Sequence, residues 1–193
     1  MPNVPIDAPK EAVFDLKFHQ IAIYHHDPEM AMEEWCEMGF NNWTGDRAEL
    51  VGTEWSMPSS KVGTMWFNYD IAPLELEYVK YNREYRHSAD DRDGHPPFLS
   101  HMSTYCEDVY SVAYRLWSQY RLVPYHRFVT KNHLNPYVLE KGIRFMEAIY
   151  DTRNLLGYDV KLIQRVGAGI TDQEVDHWAN VDISTLLDEK PQA

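Results

Sequence analysis

Two histidines with matching surroundings are the first residues in this 193-residue sequence that could do chemistry. His19 and His101 lie 82 positions apart, and Trp35 and Trp117 repeat the same offset. Imidazole is the commonest metal ligand and the side chain that exchanges protons most readily near neutral pH. One strand histidine is ordinarily a hydrogen-bonded structural residue, whereas two at equivalent places in a repeat point to a shared site. Carboxylates stand nearby in the run Leu74-Glu75-Leu76-Glu77-Tyr78-Val79. Strand alternation puts Glu75 and Glu77 on one face, so spacing does not separate them. No glycine-rich phosphate loop, Cys-x-x-Cys pair or Gly-x-Ser-x-Gly nucleophile elbow occurs.

The elements that must position these residues read as a duplication. FHQIAIYHHDPEMAMEEWCEMGF from Phe18 and SHMSTYCEDVYSVAYRLWSQYRL from Ser100 each give a short strand, a turn and an amphipathic helix. Asp27 is expected to cap the first helix, with Pro28 in its opening turn and Gly39 at its end. Met30, Met32, Trp35, Cys36 and Met38 are expected to form its buried face, leaving His25 and His26 at the surface. Asp108 is expected to cap the second helix, with Val112, Leu116 and Trp117 facing inward. The runs Lys61–Asp70 and Arg144–Tyr150 supply middle strands, and Leu74–Val79 and Val160–Ile163 close the halves. The chain thus divides into an N-terminal arm (1–15), a βαβββ module (16–81), a polar linker (82–97), a second βαβββ module (98–168) and an acidic tail (169–193).

Apolar residues make up 44% of the chain and charged residues 25%, the composition of a soluble folded protein. Thirty acidic against 18 basic side chains give a net charge of −12, which repels phosphate backbones and anionic membranes. No stretch is long and apolar enough to span a bilayer. Cys36 and Cys106 make no disulfide framework. These features point to a cytoplasmic protein whose partner is a small molecule, and they admit a homodimer.

A strand opening with histidine, a helix ending in Gly39-Phe40, the closing strand LELEYV and the run IYDTRNLLGYDVKLI follow one another in order. In this order they resemble the vicinal oxygen chelate superfamily (glyoxalase, bleomycin resistance protein, extradiol dioxygenase), over about Leu16 to Val166. The resemblance implies an α+β fold in which two βαβββ modules form a cupped eight-stranded mixed sheet, with a metal in the cup. Carried over, His19 and His101 match the first-strand ligands and Glu77 the first closing-strand ligand, with Glu75 its rival. Where four-ligand members place a second glutamate, this chain places Lys161, and a protonated lysine cannot ligate a metal. Asp159, on the same face, would replace it under a two-residue register shift. Alternatively, Lys161 pairs with Glu77 and replaces the metal altogether.

Two imidazoles and a carboxylate suit a divalent ion, with Fe2+ favoured over Zn2+, Mn2+, Ni2+ or Co2+. The resemblance then implies an enzyme acting on a small molecule with neighbouring oxygens. Dioxygenase chemistry is favoured because Lys161 removes the glutamate base of glyoxalase-type proton transfer. The alternatives are a glyoxalase-type lyase or isomerase and a metal-free binding protein with an aromatic interior fed by 6 Trp and 13 Tyr. His133, in TKNHLNPY, and Tyr158 are expected to contact the substrate, His133 as acid or base.

Overall fold

The computed structural model describes residues 17–45, 49–52, 57–58, 63–71, 73–81, 97–131, 144–166, 171–180 and 185. In chain order the elements are β1 (Phe18–Tyr24), α1 (Pro28–Glu37), β2 (Trp43–Gly45), β3 (Glu49–Gly52), β4 (Met57–Pro58), β5 (Gly63–Asn68) and β6 (Glu75–Tyr81). They continue with β7 (Phe98–Tyr105), α2 (Val109–Tyr120), β8 (His126–Lys131), β9 (Arg144–Tyr150), α3 (Arg153–Leu156), β10 (Asp159–Val166) and α4 (Asp172–Asn180).

The described strands form one sheet in the order β2-β5-β6-β1-β7-β10-β9-β8-β3-β4. Its first eight members are two copies of one four-stranded unit, back to back, in a curled mixed sheet. β1 and β7 meet antiparallel at the centre, and each is flanked by the parallel closing strand of its own half, β6 and β10. The β3–β4 hairpin, contributed by the first half, extends the far edge of the second by pairing with β8.

Local chemistry explains the helix ends. The Asp27 carboxylate accepts the Met30 N–H at 3.2 Å, Pro28 opens α1, and Gly39 leaves it with φ of +95°. Asp108 caps α2 in the same way, accepting the Ser111 N–H at 3.1 Å. The buried stripe of α1 differs from the expected one. Pro28 and Ala31 are buried, Met32 and Trp35 are half-buried, and Met30, Cys36 and Met38 are exposed. The stripe follows i, i+3, i+4, i+7 from Pro28, a rotation that a methionine-rich sequence does not reveal. Trp35 anchors it by donating its indole N–H to the Tyr78 hydroxyl at 2.9 Å. His25 is also buried, its Nδ1 accepting the Asp27 N–H at 3.0 Å, so it shapes the helix entry while His26 is exposed.

Apolar clusters cover both sides of the sheet. Ala31, Leu76 and Tyr78 pack beside α1, and Val109, Val112, Val129, Met146, Leu162 and Trp178 pack beside α2 and α4. α4 lies in the segment expected to be an acidic tail, yet Trp178 and Ala179 are fully buried in this second cluster. Inside the curl, Tyr24, Met65, Phe67, Val79, Phe128 and Ile149 form a third cluster. It joins β5 to β8 across five intervening strands, as only a curled sheet allows. Among the described residues no helix is long and apolar enough to cross a membrane.

Candidate active site

The register of the central strands places the polar residues of the inner face. Ala22 pairs with His101 and Gln20 with Ser103 across β1–β7. Within the halves, Gln20 pairs with Glu75 and Ala22 with Glu77, while His101 pairs with Asp159 and Ser103 with Lys161. These pairs obey a local two-fold that exchanges Gln20 with His101, Ala22 with Ser103, Glu75 with Asp159, and Glu77 with Lys161. Directly paired residues share a face, so all eight side chains project toward the same side.

At the centre of that face lies a buried charged cluster. His101 Nε2 sits 3.1 Å from Glu77 Oε2, and the two residues are 3% and 2% exposed. Lys161 Nζ lies 3.7 Å from the same Glu77 oxygen and 3.7 Å from Glu147 Oε1. Glu147 reaches this face because it pairs with Ile163 of β10, two residues beyond Lys161. Burial first, then the charge of Lys161, holds the His101 imidazole below its ordinary value, so the ring is neutral at pH 7. When Glu77 is ionised it only accepts hydrogen bonds, and Nε2 of the neutral ring then carries the proton and donates it to Glu77. His101 Nδ1 is then left as an acceptor for the Ser100 hydroxyl, 3.4 Å away.

Asp159 flanks His101 in the register and is 2% exposed. Arg153 Nη2 donates to its Oδ2 at 2.9 Å and to the Ser100 carbonyl at 3.0 Å, and the Tyr125 hydroxyl donates to Oδ2 at 3.2 Å. Arg153 comes from the one-turn helix α3, whose exit Gly157 turns at φ of +84°. Asp159 is therefore clamped by its own cation and does not complete a ligand set with His101.

His19 lies apart from this cluster. The β1–β7 register shifts between Phe18 and Gln20, so His19 occupies a β-bulge. The position related to His101 falls to Gln20 instead. Gln20 accepts the Ser103 hydroxyl at 2.7 Å and donates to Glu75 at 3.3 Å. His19 turns to Tyr105, whose N–H it accepts at 3.3 Å and whose ring it meets edge-on at 5.1 Å. Together with Glu75, Tyr105 and Arg165 it lines a cleft of about 870 Å³. The Tyr105 hydroxyl donates to Glu75 at 3.2 Å, and Arg165 lies 3.6 Å from Glu75 and 4.2 Å over the Tyr105 ring. Burial raises the Glu75 carboxyl above its ordinary range despite these partners. Burial likewise holds the Tyr105 phenol protonated, followed by the charge of Glu75. Cys106, on the same cleft, is raised by burial to about 12 and is no nucleophile.

Of the expected ligands, the structure thus joins His101 to Glu77 and leaves His19 with Glu75. The bulge is the physical reason: one extra residue in β1 re-aims the histidine. Among the described residues no group of three or more His, Cys, Asp or Glu side chains stands at metal-holding spacing. The residues as placed do not fit a divalent ion, because an ammonium occupies the space between the carboxylates. Tyr158 packs edge-on against Phe18 at 6.1 Å, while His133 lies outside the described residues. Sequence reasoning missed Gln20, Glu147 and Arg153. Glu147 carried a signal, as a lone charge between Met146, Ala148 and Ile149 in an otherwise apolar run.

No family model matches this sequence, and no curated protein matches it. Its structure is similar to that of methylmalonyl-CoA epimerase from Mycobacterium tuberculosis, with a TM-score of 0.50 and 11% identity, covering 76% of this chain and 86% of the other. A hypothetical protein from Bacillus halodurans gives a TM-score of 0.49 at 12% identity, covering 80% of this chain and 98% of the other. Methylmalonyl-CoA epimerase of Streptomyces coelicolor in complex with 2-nitronate-propionyl-CoA gives 0.48 at 14% identity, covering 80% and 96%. At 11% identity the first likeness shows a shared fold and nothing finer.

Proposed function

With the glyoxalase-like fold of the vicinal oxygen chelate superfamily as its frame, we propose that the chain is an enzyme that moves a proton on a small molecule with neighbouring oxygens. The reaction is of isomerase or lyase type, worked by Glu77, His101 and Lys161. One observation carries this reading. The Glu77 carboxylate is held in the curl of the sheet by a neutral imidazole at 3.1 Å and an ammonium at 3.7 Å.

Glu77 acts as the base. Glu77, Glu147 and Lys161 together carry one net negative charge when ionised, so a proton taken from carbon next to a carbonyl neutralises the cluster. His101 keeps the carboxylate oriented through its Nε2–H. Lys161 offers positive charge to the oxygen on which the enolate charge develops. Return of the proton to the adjacent carbon or oxygen completes an isomerisation with no oxidant and no net change in protonation. The apolar cluster of Tyr24, Met65, Phe67, Phe128 and Ile149 supplies a dry wall for the carbon skeleton.

The Fe2+ dioxygenase expectation requires three donors converging on one point, and the described residues bring together His101 and Glu77 alone of the expected three. The test is deuterium wash-in from D2O, followed by proton NMR. The substrates are a panel of 2-oxo acids, 2-hydroxycarbonyl compounds and hemithioacetals, with chelator-treated protein. Wild type should exchange the proton next to the carbonyl, and Glu77→Gln should slow the exchange about 10²- to 10⁴-fold. Equal exchange in the two proteins would remove Glu77 as the base. Oxygen uptake by Fe2+-loaded protein with catechols, in place of exchange, would restore the dioxygenase reading.

A further inference from the structure

The Lys161 ammonium stands among donors that would otherwise hold a cation. It lies 3.7 Å from Glu77 Oε2 and 3.7 Å from Glu147 Oε1, and the same Glu77 oxygen holds His101 Nε2 at 3.1 Å. All four residues are buried. Carboxylate oxygens and an imidazole nitrogen are donors that divalent first-row ions accept. An ammonium is a compact point charge on a flexible stem, the protein cation closest in form to a small ion.

We propose that Lys161 is a tethered substitute for a divalent cation. The wild-type chain holds no stoichiometric metal, and removing the ammonium leaves Glu77 and Glu147 without the cation between them, a charge deficit that a divalent ion would fill. Charge balance supports this. With Lys161 present and all three groups ionised the cluster carries one net negative charge, whereas without it two buried carboxylates lack the cation that each approaches at 3.7 Å. Buried charge of that kind must be neutralised by a proton or a cation. A divalent ion cancels both charges at once. The lysine's place in the fold fits the same role, since the local two-fold relates Lys161 to Glu77. A position that carries an anion in one half carries a cation in the other, so the two halves neutralise each other without an ion.

The inference involves residues of the proposed active site, but its test needs no turnover, so each can fail alone. Mn2+, Co2+ and Zn2+ are titrated separately into chelator-stripped full chain by calorimetry, with thermal melts in chelator and in metal. Wild type should show no stoichiometric binding and the same melting temperature in both media. Lys161→Ala should melt lower in chelator, take up one equivalent at least ~100-fold more tightly than wild type, and regain melting temperature. Lys161→Ala combined with Glu77→Gln should lose that uptake. Lys161→Gln preserves side-chain volume, and with its fold checked by circular dichroism it provides a second measure. One equivalent of metal in wild type, lost in His101→Ala, would overturn the proposal. A folded Lys161→Gln protein that binds none of the three ions would overturn it equally.

Discussion

Glu77 and Lys161 occupy positions exchanged by the local two-fold of the sheet, and their side chains meet at 3.7 Å. Opposite charges at related positions pair across the symmetry element, where identical residues would repel. Glu147 of β9 adds a second carboxylate to the same ammonium, also at 3.7 Å.

That pairing predicts a stability cost. Lys161→Met leaves two buried carboxylates without their cation and should destabilise the metal-free chain by about 3–5 kcal/mol. Adding Glu77→Gln should recover a substantial part, because one stranded charge is then gone. Urea unfolding in chelator measures both. A loss well under 1 kcal/mol for Lys161→Met would show that the ammonium does not balance this cluster.

His101 predicts a pH dependence. Burial and then Lys161 depress its folded value below the ordinary 6.5, so at this residue the unfolded chain takes up a proton before the folded chain does. Stability from the neutral ring is therefore fully present above about 6.5 and declines as pH falls below it. His101→Gln, which keeps a donor toward Glu77, should flatten the acid side of the melting curve. His25 is depressed as well, first by burial and then by His26, so some acid sensitivity should persist in the variant. An unchanged curve would mean that the folded His101 is not held neutral.

The two histidines of the sequence repeat should separate functionally. His101→Ala removes the donor to Glu77 and should slow deuterium exchange on the order of 10²-fold. His19→Ala acts in the neighbouring cleft, and exchange should stay within about threefold of wild type, since the proposed proton transfer runs through Glu77. Equal losses in the two variants would return His19 to the reacting centre.

Helix α4 packs on the face of the sheet opposite the candidate site. Trp178 is fully buried, donates its indole N–H to the Glu147 carbonyl at 3.2 Å and accepts Arg127 Nη1 on its own carbonyl at 2.9 Å. Trp178→Ala should cost about 3–5 kcal/mol in urea unfolding through the cavity and the lost hydrogen bond. Trp178→Phe should cost less. If both variants unfold like wild type, α4 is an appendage and not a support.

Much of the fold was legible in the residues themselves. Asp27 and Asp108 announce their helices because a carboxylate before a helical run satisfies free N–H groups. Gly39 announces an end because it takes a positive φ at little cost. The runs Arg144–Tyr150 and Leu74–Val79 stand out as β-rich, the second matching a strand that spans Glu75–Tyr81, and the correspondence of Glu77 with Lys161 was visible from the closing strands. Tertiary structure alone decided three matters. The bulge at His19 arises from how β1 seats against β7, and one extra residue moves a side chain out of the pattern that a fixed sequence offset assumes. The hairpin of β3 and β4 joins the far half because the open edge of β8 offers unpaired backbone groups, a contact distant in sequence. Whether Lys161 would meet Glu77 or leave room for a metal depended on how tightly the sheet curls, which sequence periodicity does not encode. Side-chain types set what the site could do, and the curl and the bulge chose which of them come together.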